Sequence, residues 1–172
     1  MQRGSKGIKI GPELLRAFAK QVVDVASIQC AMPLKVDKPI QATLFKEKPP
    51  TWVVGTRIDF QSATFSGEFT LYFQRDAFLA LMSGMLMSEI QEVDDDVRDG
   101  AKELLNIIFG GVKTHLSDQG LQLEMAIPTL LDEKKQEEFA VKSPSQAVYV
   151  PFRSNFGVFY GRVQLWPKSA AA

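Results

Sequence analysis

Between Phe65 and Phe73 every second residue is aromatic, aliphatic or glycine: Phe65, Gly67, Phe69, Leu71 and Phe73 share one side of an extended chain, with Ser66, Glu68 and Thr70 between them. A period of two fits a half-buried β-strand and no helix. The preceding run, Trp52 to Phe60, reads as another strand, so residues 51–73 form a strand pair rather than a βαβ unit. Around this pair the period changes. Leu14, Leu15, Phe18, Val22, Val25 and Ala26 recur at helical spacing behind Pro12, which suits a first helical position, so 12–29 is expected to be a helix. Pro33, Pro39 and Pro49-Pro50 then break the chain into short extended pieces. A second helix is expected over 75–88, with Phe78, Leu79, Met82 and Leu86 inward and Met85 and Met87 as core filler. A third should run from about 95 to 118, opened by Asp94-Asp-Asp96 and closed near Gly120. Residues 121–127 and 138–142 read as strands, and 146–152 with 157–166 as a closing hairpin through Ser154-Asn155. Glu133 to Glu138 reads as a charged, solvated loop tip. Three helices and about six strands joined by hairpins predict an α+β domain over 12–167, between flexible ends at 1–11 and 168–172.

Composition narrows the function. With 172 residues and 45% hydrophobic side chains the chain can bury one core without a metal or disulfide staple. Twenty basic and 20 acidic side chains leave no net charge, which argues against a nucleic-acid partner. No apolar run is long enough to span a bilayer, so a soluble cytoplasmic protein is expected. Cys30 is the single cysteine and His115 the single histidine, too few for a zinc site. His115, Ser117 and Asp118 lie close together in sequence, which is no evidence for a triad, and His115 reads as a surface or half-buried helix residue. No dinucleotide, P-loop or nucleophile-elbow motif occurs. Any chemistry must run on carboxylates, amides or a partner's groups.

The third helix carries such groups. At about 100° per residue, Leu105, Ile108, Val112 and Leu116 fall in one quadrant and should face the core. Asp99, Glu103, Asn106 and Gly110 gather within roughly 60° on the other side. Gly110-Gly111 in mid-helix costs about 1–2 kcal/mol against alanines, which is understandable where another backbone approaches closely. A carboxylate and an amide one turn apart can be plain helix surface. They can also hold a cation, though they are few ligands for one. Or they can be inserted into another protein's active site to grip a charge and orient a water.

A faint internal echo accompanies this helix. Glu13-Leu-Leu-Arg16 of the first helix matches Glu103-Leu-Leu-Asn106 of the third, Val22 falls on Val112, and Met32-Pro33 resembles Ile127-Pro128. Chance between two Leu-rich helices and an old duplication into pseudo-symmetric halves both explain it.

The stretch Asp99-Gly-Ala-Lys-Glu103-Leu-Leu-Asn106-Ile-Ile-Phe-Gly110, followed by Pro128, resembles the signature of the CheC/CheX chemotaxis phosphatases, and the order of elements is similar from about 12 to 166. The resemblance implies long helices packed on an antiparallel sheet in a pseudo-duplicated α+β unit. It implies hydrolysis of the aspartyl phosphate of a CheY-like response regulator. By carry-over, Glu103 would pair with the regulator's active-site lysine and Asn106 would position the attacking water, with Asp99 and Gly110 in the docking surface. The Mg2+ would be the regulator's, so the chain needs no metal or cofactor of its own. Arg16 stands where a second site would have its asparagine, which leaves one site per chain as in the CheX branch and implies a homodimer; an open sheet edge would point the same way. A non-catalytic adaptor that docks on a receiver domain is the alternative.

Overall fold

The computed structural model describes residues 11–41, 51–134 and 146–168, the side chain of Gln146 excepted. Helix α1 (Pro12–Cys30) opens the chain and is followed by two short strands, β1 (Lys35–Val36) and β2 (Ile40–Gln41). Next come a hairpin of β3 (Val54–Gln61) and β4 (Phe65–Phe73), then helices α2 (Arg75–Leu86) and α3 (Asp95–Asp118). Strands β5 (Glu124–Met125) and β6 (Thr129–Leu130) precede the closing hairpin of β7 (Gln146–Ser154) and β8 (Gly157–Pro167). All eight strands of the described residues belong to one sheet of order β1-β7-β8-β4-β3-β5, with β2 also on β7 and β6 also on β3. Every pairing is antiparallel. The fold is α+β, as expected.

The sheet order exposes a duplication. Helix α1 and strands β1 to β4 form one half; α3 and β5 to β8 form the other. Each half lends its two short strands to the other half's hairpin, β1 and β2 to β7, β5 and β6 to β3, and the halves join through β4 on β8. Those two central strands carry one pattern: Phe65-Ser-Gly67-Glu-Phe69-Thr-Leu71 against Phe159-Tyr-Gly161-Arg-Val163-Gln-Leu165. Each glycine leaves room for a ring from the neighbouring strand. A Cβ at Gly67 would stand 2.6 Å from the Phe60 ring, and one at Gly161 would stand 3.2 Å from the Phe152 and Phe69 rings. The helix echo is thus part of an architectural repeat, and α2 lies between its two halves.

The helices pack on the face that carries the alternating phenylalanines. Phe18 of α1 stacks on Phe69 with ring centroids 4.1 Å apart, and Phe109 of α3 lies 5.2 Å from Phe60. Phe78 anchors α2 against Phe73 at 5.3 Å. Burying such rings is the main driving force for docking the helices, at about 25 cal/mol per Å2 of apolar surface removed from water. The opposite face of the sheet is buried too. There Trp52, Tyr72 and Tyr149 cluster, and Arg162 donates to Glu68 at 2.7 Å with its guanidinium 5.5 Å from the Tyr72 ring. Burial pushes the Tyr72 and Tyr149 hydroxyls up, outweighing the lowering effect of Arg162. Burial alone would lower the Arg162 pKa, but Tyr72, Tyr149 and Glu68 hold it above the ordinary value. These groups work as sheet packing.

Several expectations need correction. Leu86 does not turn inward and Met87 does not fill the core: α2 ends there, Met87 adopts the left-handed cap conformation, and the two side chains are 51% and 93% exposed. The strand expected over 121–127 shrinks to Glu124–Met125, because only Met125 and Glu124 keep register with Phe60 and Gln61 of β3. The strand expected over 138–142 lies outside the described residues, as do 135–138 of the charged tip; Glu133 is tied to Arg98 at 3.0 Å. The expected flexible ends fall outside them except at Gly11, which caps α1, and Lys168, whose N–H donates to the Thr64 carbonyl. Among the described residues both sheet edges end in two-residue strands. Short strands are one way a protein protects an edge, so a long open edge no longer argues for dimerisation.

Candidate functional site

Helix α3 begins where the sequence says it should. The Asp94 carboxylate accepts from Val97 N at 2.8 Å, with Asp95 and Asp96 in the first turn beside the positive end of the helix. The apolar stripe, Leu105, Ile108, Val112 and Leu116, is buried, and with Phe109 it fixes the rotation of the helix. That rotation turns Asp99, Glu103 and Asn106 to solvent. Asp99 pairs with Lys102 at 2.9 Å, one turn along. Among the described residues, Glu103 and Asn106 engage no side chain or backbone group beyond the helix's own ladder, so both are available to a partner.

The two adjacent glycines have different reasons. At Gly111 the Gln21 side chain of α1 occupies the place a Cβ would take, so this glycine serves α1–α3 packing. At Gly110 a Cβ would meet nothing within 4 Å. Nothing among the described residues requires a glycine there, and the helix bears a cost of about 1 kcal/mol for it. The Thr114 hydroxyl donates to the Gly110 carbonyl at 3.1 Å, so this turn is held although its side is bare. The result is a strip with a carboxylate, an amide one turn on and a bare backbone one turn beyond.

Pro128 is buried and stands between β5 and β6, whose chain is tied to β3 through Ala126 N to Asp59 O at 2.9 Å and Leu131 N to Gly55 O at 2.8 Å. Strand β6 packs on α3, and Arg98 of α3 reaches Glu133 just beyond it. Ile127, next to Pro128, is 87% exposed, a large apolar side chain that sequence reasoning put inside a strand. Its exposure had no signal in the sequence, since an alternating pattern and a tight crossover look alike over a few residues. His115 is exposed and meets Gln119 at 3.3 Å, as expected for a surface residue. Among the described residues no group of three or more His, Cys, Asp and Glu side chains could hold a metal ion. No helix of the described residues is long and apolar enough to cross a membrane.

Helices on one face of a duplicated antiparallel sheet, with one of them bare on its outer side, define a class. The architecture is that of CheC-like proteins. A CheC-like superfamily protein from Shewanella sp. PV-4 is similar with a TM-score of 0.80 and 26% identity, over 91% of this chain and 99% of that one. The chemotaxis protein CheX from Vibrio vulnificus follows at 0.76 and 21%, over 90% and 99%. CheX in the CheX-CheY-BeF3-Mg2+ complex from Borrelia burgdorferi is similar at 0.69 and 18%, over 89% and 95%. A comparison with curated proteins finds no match. The sequence model of the family described as "Chemotaxis phosphatase CheX" matches residues 54–153, so the chain belongs to the CheX family.

Proposed function

We propose that this protein hydrolyses the aspartyl phosphate of a CheY-like response regulator, using the outer face of α3. The observation that carries the reading is the strip itself: Glu103 and Asn106 exposed side by side, without engagement among the described residues, beside a glycine that none of those residues requires. A relative has been crystallised with CheY, BeF3 and Mg2+. In the proposed complex the Glu103 carboxylate grips the regulator's active-site lysine. The Asn106 amide reaches the phosphorylated aspartate, where its oxygen accepts from a water and aims it at phosphorus. Asp99 and Gly110 belong to the docking surface. The reaction needs no nucleophile from this chain, because water attacks directly and the aspartate leaves as carboxylate. Any Mg2+ comes with the regulator. The site of action is the cytoplasm, and the working form a homodimer, for which light scattering should give twice the 19.1 kDa of one chain.

The test is phosphate release from a phosphorylated regulator. Asn106→Ala should lower the rate roughly 10²–10³-fold with little change in complex formation, since a preorganised water-orienting group acts mainly in the transition state. Glu103→Ala should weaken docking as well, by about 1.5–3 kcal/mol for a charge-assisted bond. An Asn106→Ala protein that folds and works at the wild-type rate would overturn the mechanism. Tight binding with no acceleration by the wild type would make the protein an adaptor.

A further inference from the structure

A second surface lies away from α3. A groove of about 1080 Å3 runs between the end of α1, the outer side of α2 and the turn from β7 to β8, and no residue of α3 lines it. Apolar side chains, Met32, Leu79, Ala80 and Ile90 among them, share its walls with polar ones such as Ser83 and Asn155. Two further lining residues, Met87 at the end of α2 and Phe156 in the turn, are 93% and 56% exposed.

Met87 is unfavourable for this chain on its own. Its φ of 52° lies in the left-handed region, where a side chain costs about 1–2 kcal/mol and a glycine would be at ease. An almost fully exposed side chain recovers none of that by burial. A thioether there is, however, a soft and adaptable contact for an incoming apolar surface.

The ionised residues that line the groove have one sign. Its ionised lining residues, Asp76 and Glu89, are acidic, and the segment that continues from it adds Glu92, Asp94, Asp95 and Asp96 with no Lys or Arg from Ser88 to Val97. Arg75 is the flanking cation, paired with Asp76 at 3.4 Å and donating to the Gln91 carbonyl at 2.9 Å. The walls are two helix ends and a closed turn, in which Ser154 Oγ accepts from Phe156 N and donates to the Gly157 carbonyl. No strand edge is offered for an extended peptide to join. Apolar walls between helices, with an acidic rim, fit a helix whose apolar stripe is flanked by positive charge.

We propose that this groove docks an amphipathic helix of a partner protein carrying lysines or arginines beside its apolar stripe. The proposal does not rest on the reading of α3.

A fluorescent peptide of about 18 residues, roughly five turns, tests it, with leucines at i, i+3, i+4 and i+7 and lysines on the flanks. Fluorescence anisotropy at low salt should show binding. A peptide of the same composition with the leucines scattered, and one with glutamates for the lysines, should fail. The double variant Met87→Gln, Phe156→Ser should weaken binding at least about tenfold, as expected for losing central anchors, and Glu89→Lys should weaken it further, while Asn106→Ala leaves it unchanged. Both groove side chains are exposed, so the variants should melt like the wild type. Binding that survives the double variant, or an acidic peptide that binds equally well, would overturn the proposal. Sedimentation of the double variant covers the other occupant. If it converts a dimer to a monomer, the groove is an interface between copies of this chain and the proposal falls.

Discussion

Replacing Gly110 with alanine should make the domain more stable and the proposed phosphate hydrolysis slower. A Cβ at Gly110 meets no atom within 4 Å, so overpacking contributes nothing. The bond from the Thr114 hydroxyl goes to the Gly110 backbone carbonyl and survives the change. What remains is helix propensity, about 1 kcal/mol in favour of alanine in a helix interior. For a domain of 172 residues this raises the melting temperature by roughly 2–4 °C. The same methyl group stands on the strip that carries Glu103 and Asn106. If a partner's backbone approaches there, displacement of about 1 Å is enough to cost around 10²-fold in rate. Thermal unfolding and the phosphate-release assay on one preparation decide the matter. Gly111→Ala is the control: its methyl group meets the Gln21 side chain, so its stability gain should be smaller and its effect on rate weaker. A Gly110→Ala protein that is stabilised yet fully active would refute the view that this glycine exists for a docking partner.

Gly84→Ala should do the opposite of Gly110→Ala. The backbone of Cys30 at the end of α1 fills the space of a Cβ and cannot step aside, so overpacking should cost about 1–3 kcal/mol or more in a urea titration. Cys30 is buried, and desolvation raises its thiol from 9.0 to about 11. Because the folded pKa is the higher one, this contribution to stability is intact below pH 9 and is lost as pH rises from 9 toward about 11. Cys30→Ala should remove that part of the slope in unfolding curves across this range, and the native wild-type thiol should resist a thiol reagent until the chain unfolds.

Much of the candidate site was legible because its signals are local. Helix α3 follows from the spacing of Leu105, Ile108, Val112 and Leu116, from the acidic cap at Asp94 and from the stop near Gly120. A helix with one apolar stripe must turn its other side outward, so the exposure of Asp99, Glu103 and Asn106 follows as well. The strand at Phe65 to Phe73 is local for the same reason. Other features depend on residues far apart in the chain. Gly110 and Gly111 are identical in sequence, and only the approach of Gln21 tells which one packing needs. Leu86 and Met87 continue the apolar content of α2 but fall where none of the described elements covers them. The exchange of short strands between halves, and the meeting of Glu68 with Arg162 across 94 residues, depend on which strands pair, which hydrophobic period does not encode. Periodicity says which side of an element seeks cover. What supplies the cover is decided only when the elements pack together.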